Sequence, residues 1–160
     1  TNEVVDMNSM FYACTSLTSL NLNHFNTNKV TNMSGMFGLC EKLTSLNLTP
    51  LNTQNVTDMS DMFYNCSGLT TLDLSPLDTQ KVTNMSWMFY NCSGLTALDL
   101  SLIDTSKVTN MNAMFKDCST LTHLSLGEKF AFVGSEYNLP SGTWYSSDGT
   151  AYTSNGKSCT

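Results

Sequence analysis

Val56-Thr57-Asp58-Met59-Ser60-Asp61-Met62-Phe63-Tyr64-Asn65-Cys66-Ser67-Gly68-Leu69-Thr70-Thr71-Leu72-Asp73-Leu74-Ser75 recurs almost unchanged from Val82 to Ser101. The same frame extends in both directions: Val4, Val30, Val56, Val82 and Val108 each open a 26-residue unit, and each is followed by Met-x-x-Met-Phe-x-x-Cys. Self-similarity at such a period means that each unit is one supersecondary element that buries its apolar face only by stacking on its neighbours. The chain therefore divides into a five-unit repeat region, 1–127, and a non-repeating segment, 128–160, rich in β-forming residues.

Within a unit, two hydrophobic patterns follow one another. Val30, Met33, Met36, Phe37 and Cys40 fall at spacings of three and four, which predicts an apolar stripe on a short helix, with Thr31 and its copies Thr57, Thr83 and Thr109 as N-terminal caps. Leu43, Leu46 and Leu48 then follow L-x-x-L-x-L, and the alternation predicts a short strand parallel to its copies. A loop closes each unit with an apolar anchor (Phe25, Leu51, Leu77, Ile103) and an Asx-Thr pair such as Asn52-Thr53 or Asp78-Thr79. Asx and Thr side chains satisfy backbone groups at turns, and two of the four copies carry neutral Asn, so the pair reads as turn chemistry in preference to a calcium site.

The unit V-T-[DN]-M-S-x-M-F-x-x-C-S-x-L-T-x-L-[DN]-L-S resembles the BspA-like leucine-rich repeat family, 26-residue repeats of bacterial surface proteins, over residues 4 to about 127. The resemblance implies a secreted or surface-anchored protein that adheres to host or partner molecules, and it carries no catalytic residues. The fold expected is an α/β solenoid, a leucine-rich-repeat-like right-handed arc with one short parallel strand and one short helix per repeat, ended by a C-terminal β-hairpin cap. Thr143-Trp144-Tyr145 and Thr150-Ala151-Tyr152-Thr153 flank Asp148-Gly149, a hairpin signal, and a cap of this kind covers an open sheet edge. A small glycan-binding module is the rival reading of that segment. Nothing in the sequence caps Val4 to Leu22.

Composition narrows the function. Charged residues make up 12% of the chain, the net charge is −6 and every basic residue is Lys, which disfavours nucleic acid and anionic membrane surfaces as partners. No apolar run approaches the roughly 20 residues that span a bilayer. A start at Thr1, three residues before the first unit, reads as a piece of a longer protein whose other segments supply the anchor.

Candidate chemistry is weighed against packing. Cys14, Cys40, Cys66, Cys92 and Cys118 hold one position of the repeat and are expected as a structural ladder of free, buried thiols, on the premise that a helix-bearing side splays too wide for disulfides. Cys159 stands apart, unpaired or joined to Cys118, and no spacing suggests zinc or another metal or cofactor. Ten Met residues at recurring positions read as core filler, and His24 and His123 occupy unrelated positions, so no enzyme is expected.

Recognition is expected at variable positions. The strand period places Ser19, Asn21, Ser45, Asn47, Thr71, Asp73, Ala97, Asp99, His123 and Ser125 outward, a small polar face with no aromatic anchor. Tyr64 and Tyr90 are equivalent and Trp87 precedes Tyr90 by three, so the three rings should cluster, either to meet a partner or to stiffen the stack. The candidate binding residues are thus Tyr64, Trp87, Tyr90, Asp73 and Asp99. The function expected is a bacterial surface or secreted adhesion module for a host or cell-surface protein or glycan, with a structural spacer or self-associating stalk as the alternative.

Overall fold

The computed structural model describes residues 3–145 and 151–157. It overturns the expected α/β solenoid with a helix in each repeat. Among the described residues there is no helix, and only four strands in two two-stranded sheets: β1 (Ala97–Leu100), β2 (His123–Leu126), β3 (Gly142–Tyr145) and β4 (Ala151–Ser154). None of them, accordingly, is a helix able to cross a membrane.

What replaces the helix is a run of three tight turns, the middle one closed by the Gly38 N–H on the Gly35 carbonyl at 3.0 Å. The Met36 N–H donates to the Met33 carbonyl at 3.2 Å and the Cys40 N–H to Phe37 at 3.2 Å, each an i to i+3 bond closing a four-residue β-turn in place of the i to i+4 bond of an α-helix. The third residue of the first and last turns has positive φ: Gly35 at 62° and Leu39 at 62° in this unit, Asp61 at 58° and Asn65 at 55° in the next, Trp87 at 60° and Asn91 at 50° after that. Left-handed residues four apart exclude a right-handed helix. Turns that close every three residues return side chains to one side at i and i+3, as a helix does, and Val30, Met33, Met36, Phe37 and Cys40 are all fully buried. Thr31 caps nothing; its N–H and its hydroxyl both donate to the Val5 carbonyl, at 2.9 and 3.3 Å.

The turns leave every second N–H pointing along the stack. Met33, Gly35, Phe37 and Leu39 donate to Asp58, Ser60, Met62 and Tyr64 of the following unit at 2.7–3.0 Å. The same four bonds recur at every junction between units, and parallel bridges run through Asp6, Asn32, Asp58, Asn84 and Asn110. Backbone groups that a helix would satisfy internally are thus satisfied between units, which is what holds the repeats in register. The L-x-L segments form a ladder at the last junction, where β1 pairs with β2 in parallel with Ala97 opposite His123; the earlier copies are not strands.

Between these layers the core is a set of columns. Phe11, Phe37, Phe63, Phe89 and Phe115 stack face to face with centroids 5.8–5.9 Å apart, the inner rings fully buried, a separation favourable for aromatic pairs. Buried Thr27, Thr53 and Thr79 form a second column. Thr53 Oγ1 accepts from the Asp78 N–H at 2.8 Å and donates to the Asp78 carbonyl at 3.0 Å, while Asp78 Oδ1 accepts from the Gln80 N–H at 3.1 Å. The Asx-Thr pair is therefore a clasp between neighbouring loops.

At the C-terminal end residues 129–139 take the place of a sixth unit. The Ala113 N–H donates to Glu136 at 2.6 Å and Phe115 to Tyr137 at 2.9 Å, and Phe132 meets Phe115 edge-on at 6.3 Å. Phe130, Tyr137 and Leu139 are buried. β3 and β4 pair in antiparallel fashion, Trp144 opposite Tyr152, and the buried Ser154 hydroxyl donates to the Leu139 carbonyl at 2.7 Å. The Asp148-Gly149 turn expected between them lies outside the described residues.

Candidate functional site

Tyr64, Trp87 and Tyr90 come together on the turn side of units three and four. Tyr64 and Tyr90 stack with centroids 4.9 Å apart and planes 7° from parallel; Trp87 leans across both, 5.1 Å from Tyr90 and 6.3 Å from Tyr64. The grouping comes from two turn positions per unit, not from a helix face. All three are half-buried, and Trp87 holds the left-handed turn position that Gly35 fills two units earlier. Gly38 occupies the Tyr64 position in unit two, where a Cβ would sit 2.7 Å from the Tyr12 ring, so Tyr12 covers that gap.

Two partners of the cluster were not singled out from sequence. Lys116 stands at the Tyr64 and Tyr90 position in the fifth unit and brings Nζ to 5.7 Å from the Tyr90 centroid, within cation–π range. Aligning the units by column would have found it. Asp117 hydrogen-bonds the Tyr90 hydroxyl and, with partial burial, raises its pKa, so this phenol stays protonated. Beside the rings an amide row runs along the stack, Asn91 Nδ2 donating to Asn65 Oδ1 and Asn65 Nδ2 to Glu41 Oε1 at 3.0 Å. In the Trp87 column one unit earlier, burial and the nearby Asp58 raise the Asp61 carboxyl above the usual range.

Asp73 and Asp99 are not part of this cluster. They lie exposed on the L-x-L face and accept from the Ser75 and Ser101 N–H groups at 2.9 Å, bonds that, with those of the serine side chains, hold both carboxyls below their usual range. The hollow they border, with Leu74 and Leu102, is about 30 Å³, room for a water molecule. The other residues expected outward, from Ser19 to Ser125, are exposed. A larger open groove of about 390 Å³ lies on the loop side between Gln54, Asp78, Gln80, Lys81, Asp104 and Lys107.

Four of the five rungs of the cysteine ladder lie in the core. Cys40, Cys66, Cys92 and Cys118 are buried and free, whereas Cys14 is exposed. Each buried thiol donates to the phenylalanine carbonyl of the preceding unit, Cys66 to Phe37 at 3.0 Å and Cys118 to Phe89 at 2.9 Å. The premise of a splayed side is wrong, because the units are hydrogen-bonded closely there. Burial pushes the Cys40 thiol up to about 11 and Cys66 and Cys118 to about 12, so these groups are poor nucleophiles. Cys159 lies outside the described residues. Among the described residues no group of three or more His, Cys, Asp or Glu is placed to hold a metal ion.

No curated protein and no solved structure matches the chain. A family model described as "Mycoplasma protein of unknown function, DUF285" matches residues 1–95 and, in an overlapping second match, 43–129. Both matches cover the repeating units whose turns carry the ring cluster, and together they take in more than half of the sequence. The chain belongs to the DUF285 family.

Proposed function

We propose that this chain is an adhesion or protein-interaction module of a bacterial cell surface, or of a secreted protein, of the BspA-like leucine-rich repeat kind. It binds a host or cell-surface protein or glycan through the Tyr64, Trp87 and Tyr90 cluster. The observation that carries this reading is the cluster itself: three half-open rings packed together across two neighbouring units, with a lysine over one of them. Amphipathic rings of this kind dominate the energetics of recognition surfaces. A panel of extracellular-matrix proteins and glycans, offered to the chain and to its Tyr64→Ala, Trp87→Ala, Tyr90→Ala triple variant, tests it. A ligand should appear for the parent chain and its affinity should fall at least tenfold in the variant, with the urea midpoint showing that the variant still folds. Undiminished binding by the folded triple variant would remove the cluster from recognition.

A structural spacer is the second reading, favoured by the main-chain ladder that joins each unit to the next. It predicts no ligand in that panel and a stack whose stiffness, not its surface, matters.

A further inference from the structure

We propose that the ring cluster and the groove between the fifth unit and the C-terminal segment form one continuous site for a neutral oligosaccharide, the two halves meeting at Lys116 and Asp117. This rests on the recognition role given above to Tyr64, Trp87 and Tyr90, and adds the class of ligand. The groove has a volume of about 290 Å³, close to the lower bound of about 300 Å³ for small-molecule sites, and is bordered by Lys116, Asp117, Ser119, Asn138, Pro140 and Ser141. It opens where the main-chain ladder breaks. Leu39, Asn65 and Asn91 each donate an N–H to the following unit at 2.7–2.8 Å, but the equivalent N–H of Asp117 has no acceptor among the described residues. Residues 129–139 take up the bonds of Ala113 and Phe115 and leave this one open.

The side chains at the seam both donate and accept. Asp117 takes the Tyr90 hydroxyl on its carboxylate, which has about four acceptor positions, so others remain for ligand hydroxyls. Lys116 Nζ stands 5.7 Å from the Tyr90 centroid and has no carboxylate within ion-pair reach among the described residues, so its donors are open. The far wall is fixed. Asn138 donates its N–H to the Lys157 carbonyl at 2.7 Å and Nδ2 to the Gly156 carbonyl at 3.2 Å. Gly156, at φ 85°, lets Ser141 close against it, since a Cβ there would sit 2.9 Å from Ser141 Oγ. On the ring side the amide row of Asn91, Asn65 and Glu41 continues the polar edge.

This arrangement selects the ligand's class. A sugar has an apolar C–H face and a rim of hydroxyls that donate and accept at once, and the site presents their complement: half-open rings beside carboxylate, ammonium, amide and hydroxyl groups. A protein hot spot instead sets its aromatic anchor among contacts that shut out water, and this groove is bordered mostly by polar side chains. Charge narrows the class further. Lys116 and Asp117 offset each other, Lys157 pairs with Glu136 at 3.4 Å, and the chain carries −6, so no surplus positive charge awaits a sugar acid or a phosphate.

The isotopically labelled full chain is titrated with chitotetraose, cellotetraose, maltotetraose and lacto-N-tetraose, with tetragalacturonate as the acidic counterpart, and its amide shifts are followed by NMR. A neutral tetrasaccharide should move the amides of Asn91, Asp117, Ser119 and Asn138 together. Ser119→Trp fills the groove and leaves the rings in place, and it should weaken that binding about tenfold or more, as should the triple alanine variant of Tyr64, Trp87 and Tyr90. Asp117→Asn, which puts in the residue found at 65 and 91, covers the case in which the tryptophan disturbs the fold and should weaken binding about fivefold. No shift with any neutral sugar overturns the proposal, as does tighter binding of tetragalacturonate. Sugar binding that survives either Ser119→Trp or the triple variant overturns it too, because the two halves would then not be one site. If no sugar binds but a matrix protein binds the parent chain and is lost only from the triple variant, the saccharide falls and the recognition role of the rings stands; a chain that binds neither loses both.

Discussion

Replacing Thr53 by Val tests whether the buried threonine column holds neighbouring loops together. The side chain is 2% exposed and its hydroxyl makes two hydrogen bonds to one residue, accepting from the Asp78 N–H at 2.8 Å and donating to the Asp78 carbonyl at 3.0 Å. Valine keeps the shape and removes both partners at once. A buried backbone group left unsatisfied costs about 1–3 kcal/mol. Asp78 is itself exposed, so water can reach its backbone once the loop shifts, and the lower end of that range applies to each group. The loss should be about 2 kcal/mol, or a fall of roughly 4–8 °C in the thermal midpoint for a chain of this size. Thr53→Ser keeps the hydroxyl and loses one methyl, at about 0.8 kcal/mol. Urea unfolding followed by far-UV circular dichroism measures both. A valine variant within about 0.5 kcal/mol of the parent, the range expected at an ordinary surface site, would refute the clasp, as would a serine variant as damaging as the valine one.

Two further outcomes follow from the turns and the thiols. Because the folded chain keeps Cys40, Cys66 and Cys118 protonated up to about pH 11–12 while an unfolded thiol ionises near 9, their contribution is fully present below pH 9. Stability should therefore decline as pH rises from 9 towards 12, with the urea midpoint falling less steeply in Cys66→Ala, Cys118→Ala; an unchanged slope in that variant would show that other groups govern the decline. Trp87 sits at φ 60°, so Trp87→Gly relieves about 1 kcal/mol of backbone strain while losing a similar amount of ring packing against Tyr90, for a net change within about 1 kcal/mol. Trp87→Val loses the packing and keeps a β-branched residue in the left-handed region, and should be about 2 kcal/mol worse than the glycine variant; equal stabilities would show that the backbone relaxes there.

The period, the buried set and the ring cluster were legible because they depend only on which positions recur. Val30, Met33, Met36, Phe37 and Cys40 were identified as one buried face, and they are. The helix inferred from them is absent because β-turns closed from i to i+3 and α-helices share the i, i+3 spacing, so periodicity alone does not separate them. A signal against the helix was present in the columns: Gly35 and Asp61, and four residues later Asn65, Asn91 and Asp117, are residue types that tolerate positive φ and disfavour helix interiors. The Ala13, Leu39 and Trp87 copies hid it. The threonine clasp could be read only as local turn chemistry, because its partners, 25 residues apart, become neighbours only when the loops stack. Lys116 was missed for a simpler reason: its place in the tyrosine column shows only when lysine is aligned with aromatics.

The hydrogen bonds between units also have a direction. At the junction of the second and third units four N–H groups point towards the C-terminal end and three, those of Thr57, Thr70 and Asp78, point back. Peptide dipoles aligned in this way do not cancel, and repeated along the stack they leave partial negative charge on the carbonyl end and partial positive charge on the amide end. The sense is opposite to that of an α-helix, because here the N-terminal end is the negative one. The bias amounts to one peptide in seven at this junction, so the main chain gives the stack a direction without making its ends strongly charged.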